Sequence, residues 1–278
     1  MMGCMRRVRP AAALVLAGLS FTACATGSRS APPSATSLAA PPATTSRAVI
    51  LPSRTAAAPA TTAPSNPGAT SAATSSPHPG AMPVIKPLSA RQRKQGFVDI
   101  RTVVPDAIVD MRYATPHNFT GVRLEPKDAR CLIHKSMAPG LREGAKILRA
   151  KGYVLYFFDC YRPHSVQQKM WDVVPNPTWI AKPGAYSRSH ETGRSVDVTI
   201  AVRSTAKPVD TGTGYDNFTS RAWAYQTEGL SKAQIANRAR LRNALQHDGS
   251  LQVYSAEWWH FDGPDAGKHL SIVDVPVN

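Results

Sequence analysis

Residues 186–202 read YSRSHETGRSVDVTIAV, and two patterns overlap in them. From Arg194 to Val202 polar and β-branched residues alternate, which predicts a strand with two unlike faces. Just before it, His190 is followed at once by Glu191, as in the helical motif of zinc proteases. That motif needs a second His four residues after the first, and position 194 is Arg194. Instead a carboxylate, Asp197, arrives seven residues on, inside the β-branched run. Two readings are open: half of a metal site of another kind, or a polar loop that runs into a strand.

Working outward, YVLYFFD (153–159) is a continuous apolar run, the pattern of a central strand. Before it, MAPGLREGAKILRAKG (137–152) has helical spacing at Leu141, Ala145 and Leu148 and stops at Gly152. FVDIRTVVPDAIVDMRYAT (97–115) predicts short strands with a turn near Pro105. YRPHSVQQKMWDVV begins as a Pro-bearing turn and continues as a helix, and VDTGTGYDNF (209–218) is a Gly-rich loop. A second helix opens with the capping pair Ser231 and Gln234 and stops at Gly249. LQVYSAEWWHFD (251–262) predicts strand pairs around an aromatic cluster. There is no internal repeat and no regular βαβ rhythm, so the expected class is α+β, a mainly antiparallel sheet flanked by helices.

The chain as a whole has 278 residues and a formal charge of +15. No Asp or Glu precedes Asp99, and residues 24–90 are mostly Ala, Pro, Ser and Thr. Such a segment has too little large apolar surface to offset its ordering entropy, and it reads as an extended tether. Residues 1–23 read as an export signal: Arg6, Arg7 and Arg9 precede the short apolar stretch AAALVLAGLSF, and FTAC follows. FTAC resembles a bacterial lipoprotein cleavage site, with Phe21 where Leu is usual. Cys24 would then be lipidated and anchor the chain to the outer face of the membrane; the alternative is ordinary secretion with Cys24 incidental. Residues 91–278 remain as one domain. Its two cysteines, Cys131 and Cys160, suit either one disulfide in an oxidising compartment or two separately buried thiols. Without residues 1–23 the charge is +12, yet the basic residues are scattered rather than interleaved with aromatics. That argues against a nucleic-acid partner and for a cationic surface facing an anionic membrane or wall.

Two regions carry chemistry. One offers His190 and Asp197, the other Glu257 and His260 in EWWH. Two imidazoles and a carboxylate form a standard hydrolytic zinc set with one position left for water, and a nearby Glu suits a general base. Taken singly, each His is more often a surface or hydrogen-bonded core residue. Together with their surroundings, SHETGRSVDVTI and YSAEWWHF resemble the D-alanyl-D-alanine dipeptidases, the zinc peptidase family known from vancomycin resistance. The resemblance extends in the family's order through RYATPHNFTG (112–121), DCYRP (159–163), GTGYDNF (212–218) and NRARLRNAL (237–245), which is nearly the whole domain.

The resemblance implies a zinc D,D-peptidase/Hedgehog-like fold and one zinc ion held by His190, Asp197 and His260. It implies that Glu257 takes a proton from the attacking water and returns it to the leaving amine. Arg162 would stabilise the oxyanion, Asp216 would anchor the substrate's free amino group, and Tyr113 would line the same pocket. Glu191 is then a decoy. The sequence departs from the family at Arg188, where related enzymes carry a substrate-contacting Ser; either Ser187 or Ser189 does that work or substrate affinity differs. Cys160 replaces a small residue, consistent with a partner in Cys131. The expected reaction is hydrolysis of a small D,D-dipeptide to two D-alanines in cell-wall peptide turnover. Its rivals are a D,D-carboxypeptidase or endopeptidase on stem peptides, and a non-catalytic zinc-stabilised wall-binding module. Oligomeric state is not legible.

Overall fold

A computed structural model describes residues 84–278; the expected signal peptide, Cys24 and nearly all of the expected tether lie outside the described residues. The described chain begins with helix α1 (Ala90–Lys94), where Ser89 and Gln92 cap each other's backbone N–H groups. Strand β1 (Phe97–Asp99) follows, and then the first correction to the sequence reading. Ile100–Val103 is a helical turn, α2, not strand. Asp99 causes this: its carboxylate accepts the Arg101 N–H at 2.9 Å and caps the turn before the β-branched residues can extend. In the second half of that stretch only Ile108–Val109 pairs as a strand, β2.

Strand β3 (Leu132–His134) pairs antiparallel with β1 in a small separate sheet. Helix α3 (Ala138–Arg149) carries Pro139 in its first turn and buries Leu141, Ala145 and Leu148, as the spacing predicts. Strand β4 (Tyr153–Asp159) is the expected central strand. Helix α4 (His164–Val173) starts directly after Pro163, and strand β5 (Ser195–Val202) realises the opening stretch of the sequence. Helix α5 (Lys232–Leu245) has the expected Ser231/Gln234 capping box. It ends at Leu245 rather than at Gly249, which lies in the following turn with a positive φ of 74°. Strands β6 (Gln252–Val253) and β7 (His260–Asp262) close the chain as an antiparallel pair.

The main sheet has the order β2-β4-β5-β7-β6. Only β2–β4 is parallel; the other pairs are antiparallel, so the fold is α+β with a mainly antiparallel sheet flanked by helices. Val196, Val198 and Ile200 of β5 join Leu141 and Leu148 of α3 and Leu241 and Leu245 of α5 in the large apolar core. Helices α3 and α5 approach closely because residue 144 is Gly: a Cβ there would sit 2.7 Å from the Leu245 side chain. The opposite sheet face carries Asp159, Asp197 and His260.

Candidate active site

Register builds the centre of the site. Asp197 of β5 pairs across strands with Asp159 of β4 on one side and with His260 of β7 on the other. Residues opposite each other in neighbouring strands point to the same face, so three titratable side chains form a row. His190 joins them from a 3-10 turn, Ser189–Thr192, that ends at Gly193 with a φ of 67°. That left-handed residue turns the chain into β5. A Cβ at Gly193 would lie 2.9 Å from the His134 backbone nitrogen, so Gly is required for space as well.

His190 Nε2 lies 3.1 Å from His260 Nδ1 and 3.2 Å from Asp197 Oδ1, and His260 Nδ1 lies 3.0 Å from Asp197 Oδ1. A tetrahedral metal with bonds of about 2.0–2.1 Å has its ligand atoms about 3.3 Å apart, close to this triangle. The outward nitrogens are already engaged. His190 Nδ1 meets the Cys160 carbonyl oxygen at 2.8 Å, and His260 Nε2 meets Asp262 Oδ1 at 3.1 Å. Each ring thus has one nitrogen tied down and the other aimed inward, the arrangement that orients metal-ligating imidazoles. Burial pushes the Asp197 carboxyl up, but the His190 and His260 rings outweigh it and hold it well below the usual range. Burial disfavours the His260 imidazolium, yet Asp197 and Asp262 hold its pKa well above the ordinary value.

The triad opens onto a cavity of about 440 Å³ whose lining includes Tyr113, Arg162, Arg188, Ser189, Asp216 and Glu257. Every expected substrate or catalytic residue is therefore brought to one place. Glu257 Oε2 lies 3.9 Å from His260 Nδ1. Burial raises the Glu257 pKa, partly offset by His260. Arg162 is pinned by the Asp159 carboxylate and by Gln167 Oε1 at 2.7 Å, with the Tyr113 ring 4.9 Å from its guanidinium carbon. Burial disfavours its charge, but Asp159 holds the pKa well above the ordinary arginine value.

Asp216 sits with a φ of 59° and accepts from the Tyr113 hydroxyl at 3.1 Å. Burial and the Asp197 charge push its carboxyl well up. Tyr215 donates to Asp197 Oδ2 at 2.9 Å, and its oxygen lies 3.1 Å from the Tyr113 hydroxyl. Asp197, Tyr215, Tyr113 and Asp216 thus stand in one contiguous row, each phenol giving its single proton to a carboxylate. The loop bearing Tyr215 and Asp216 is held from behind by Arg238 of α5, which donates to the Thr211, Trp223 and Arg221 carbonyls at 2.8–3.0 Å.

Ser189 donates to Ser195 Oγ at 2.8 Å, and Ser195 donates to Asp262. Ser187 is fully buried and accepts the Val273 N–H, so of the two candidate serines only Ser189 lines the cavity. Arg188 is exposed at the cavity wall. Glu191 is bound to His164 Nδ1 and is no part of the triad. Cys131 and Cys160 form a disulfide. The sequence reading missed Asp159, Gln167, Tyr215 and Asp262. A signal existed for Asp262, two residues after His260 and so on the same strand face; none existed for Tyr215.

The comparisons with known proteins bear on this geometry. The sequence pattern of a peptidase family described as D-Ala-D-Ala dipeptidase matches residues 93–278, more than half of the chain.

The chain belongs to the D-Ala-D-Ala dipeptidase family.

It is thereby an enzyme of the peptidase class. Among its relatives, the D-alanyl-D-alanine dipeptidase of Escherichia coli (strain K12) is 32% identical over 178 residues, 64% of this chain and 90% of the relative. The D-alanyl-D-alanine dipeptidase of Enterococcus faecium is 26% identical over 200 residues, 66% of this chain and 98% of the relative. That of Enterococcus faecalis (strain ATCC 700802 / V583) is 28% identical over 186 residues, covering 60% and 91%. Among solved structures, a mutant of the vancomycin resistance D,D-pentapeptidase VanY in complex with Zn(II) aligns at 16% identity over 48% of this chain and 72% of that chain. Its TM-score of 0.28 leaves no superposition to argue from.

Proposed function

We propose that the chain hydrolyses the D-alanyl-D-alanine dipeptide, with one zinc ion held by His190 Nε2, Asp197 Oδ1 and His260 Nδ1. The observation that carries the reading is the triangle of those three atoms in one cavity with Glu257 and Asp216. Family membership supports the same substrate class. Zinc bound there would supply Lewis acidity to the scissile carbonyl and the attacking water.

The chain's own groups do the rest. Glu257, with its pKa raised by burial, accepts a proton from the attacking water and returns it to the leaving amine. Arg162, locked by Asp159 and Gln167, presents a fixed positive charge to the oxyanion as it forms. Asp216 receives the substrate's ammonium; the arriving cation supplies the counter-charge that the half-buried carboxyl lacks. At the cavity wall, Arg188 is available to the substrate's carboxylate, taking the place of the family's Ser.

The test compares D-Ala-D-Ala, N-acetyl-D-Ala-D-Ala and a wall pentapeptide on the zinc-loaded protein. An acylated substrate brings a neutral amide in place of the ammonium and forms no ion pair with Asp216. Breaking a buried pair costs about 3–5 kcal/mol, so the free dipeptide is favoured by about two to four orders of magnitude in kcat/KM. Comparable values for the free and blocked dipeptides would move the assignment to a D,D-carboxypeptidase.

We further infer that the domain works outside the membrane, tethered by residues 24–90 and anchored through a lipidated Cys24, in cell-wall peptide turnover. The support is the order of charged, apolar and small residues before Cys24 and the Pro/Ser/Thr-rich run after it. Incorporation of a tagged fatty acid that is lost in Cys24→Ala checks this; label retained in the variant would refute it.

A further inference from the structure

The segment Asp159–Arg162 leaves β4 where the pairing with β5 shifts register. Beyond that point its backbone is tied by single hydrogen bonds, Tyr161 N–H to Leu132 O at 2.8 Å and Arg162 N–H to His190 O at 3.0 Å. Yet this short turn delivers three groups to the site. The Asp159 carboxylate holds Arg162 and lies 3.3 Å from His190 Nδ1. The Cys160 carbonyl lies 2.8 Å from the same nitrogen. The third group is the Arg162 guanidinium itself.

The covalent tie on this turn is the disulfide to Cys131, with the two Cα atoms 5.1 Å apart. Cys131 is a firm point to tie to. Its carbonyl accepts the Ile100 N–H at 3.0 Å, and the preceding Arg130 donates its N–H to Val277 O and pairs with the buried Asp99 at 2.9 Å. Both cysteines are buried, at 1% and 0% exposure.

We propose that the Cys131–Cys160 disulfide is a positioning element of the metal site as well as a staple of the fold. It fixes the Cys160 carbonyl, which keeps the His190 proton on Nδ1 and aims Nε2 at the metal, and it holds the turn from which Arg162 reaches the cavity. The inference rests on the zinc reading above. A displacement of the carbonyl by about 1 Å takes a 2.8 Å contact out of hydrogen-bond range and frees the imidazole to rotate. Buried as it is, the bond is out of reach of an attacking thiolate and serves as a permanent clamp.

The test uses the full chain and compares Cys131→Ala/Cys160→Ala with Leu148→Ala, a core truncation near the end of α3. Zinc affinity is measured by chelator competition, ligand geometry by the absorption spectrum of the cobalt(II)-substituted protein, and kcat and KM separately, at a temperature where both variants are folded. The cysteine variant should bind zinc about 10–100-fold more weakly, with an altered cobalt spectrum and a lowered kcat. Leu148→Ala should lose thermal stability while keeping affinity and spectrum. Unchanged affinity and spectrum in the cysteine variant would overturn the proposal. If that variant does not fold, Cys131→Val/Cys160→Ala restores apolar volume and takes its place. Failure of this second variant beside a folded Leu148→Ala overturns the proposal too, because the bond would then be holding the domain as a whole. An unmutated protein that takes up no zinc overturns both readings, whereas normal uptake with an unresponsive variant overturns the clamp alone.

Discussion

On one side of β5, Val196, Val198 and Ile200 are completely buried against α3 and α5; on the other, Ser195, Asp197 and Thr199 are 0–4% exposed. The two faces are equally dry and chemically opposite. On the helix face, burial is the stabilising force itself, through apolar area removed from water. On the site face the same dryness makes each charge interaction strong and each unpaired charge costly. The difference teaches that burial alone does not separate core from active site. What separates them is whether the buried atoms need partners.

Glu257→Gln breaks the comparison most sharply. It leaves the ligand triangle intact and removes only the proton acceptor. Turnover of D-Ala-D-Ala should fall by about 10²–10⁴-fold while bound zinc stays at wild-type stoichiometry. Substantial residual activity with full metal content would show that Glu257 is not the base.

On the opposite face, Ile200→Ala should cost about 2–5 kcal/mol of unfolding free energy. Zinc affinity and kcat should hardly move below the lowered melting temperature. A large kcat loss in folded protein would mean that the two faces are not separable.

Glu125 shows the cost of the polar side. It is 2% exposed, and among the described residues neither carboxylate oxygen has a hydrogen-bond partner. Burial, with Asp159 adding to it, pushes its pKa up to about 8. The unfolded chain ionises this group near 4.5, so the folded state holds an extra proton between those values. The stability it confers is full below about pH 4.5 and is lost as pH rises towards 8. Glu125→Gln has no such loss. The variant should gain on the wild type by about 1 kcal/mol per pH unit across that window. Parallel denaturation curves at every pH would rule out the elevated pKa.

The smallest effect is expected at Tyr215→Phe, which keeps the ring and removes the hydroxyl between Asp197 and Tyr113. Zinc affinity should drop by about 10–100-fold with little change in unfolding midpoint of the metal-free protein. An unchanged affinity would reduce Tyr215 to a packing role.

Much of this molecule was legible as pattern. The apolar run at 153–159, the spacing at Leu141, Ala145 and Leu148, and the Ser231/Gln234 cap are local signals, and local signals survive in one dimension. The residue types of the ligand set were legible too, because metal ligation admits few side chains. Local capping also explains the failure at Ile100–Val103, where Asp99 overrode the β-branched pattern. The tertiary structure alone decided that Asp197 stands in register with both Asp159 and His260, and that Tyr215 stands between Asp197 and Tyr113. It also decided that His190 presents Nε2 while His260 presents Nδ1. That choice is made by a backbone carbonyl at Cys160 in one case and by a neighbouring carboxylate, Asp262, in the other. A carbonyl is the same at every residue, so its place in a site leaves no mark in a sequence; only the path of the chain through space brings it to the ring it orients.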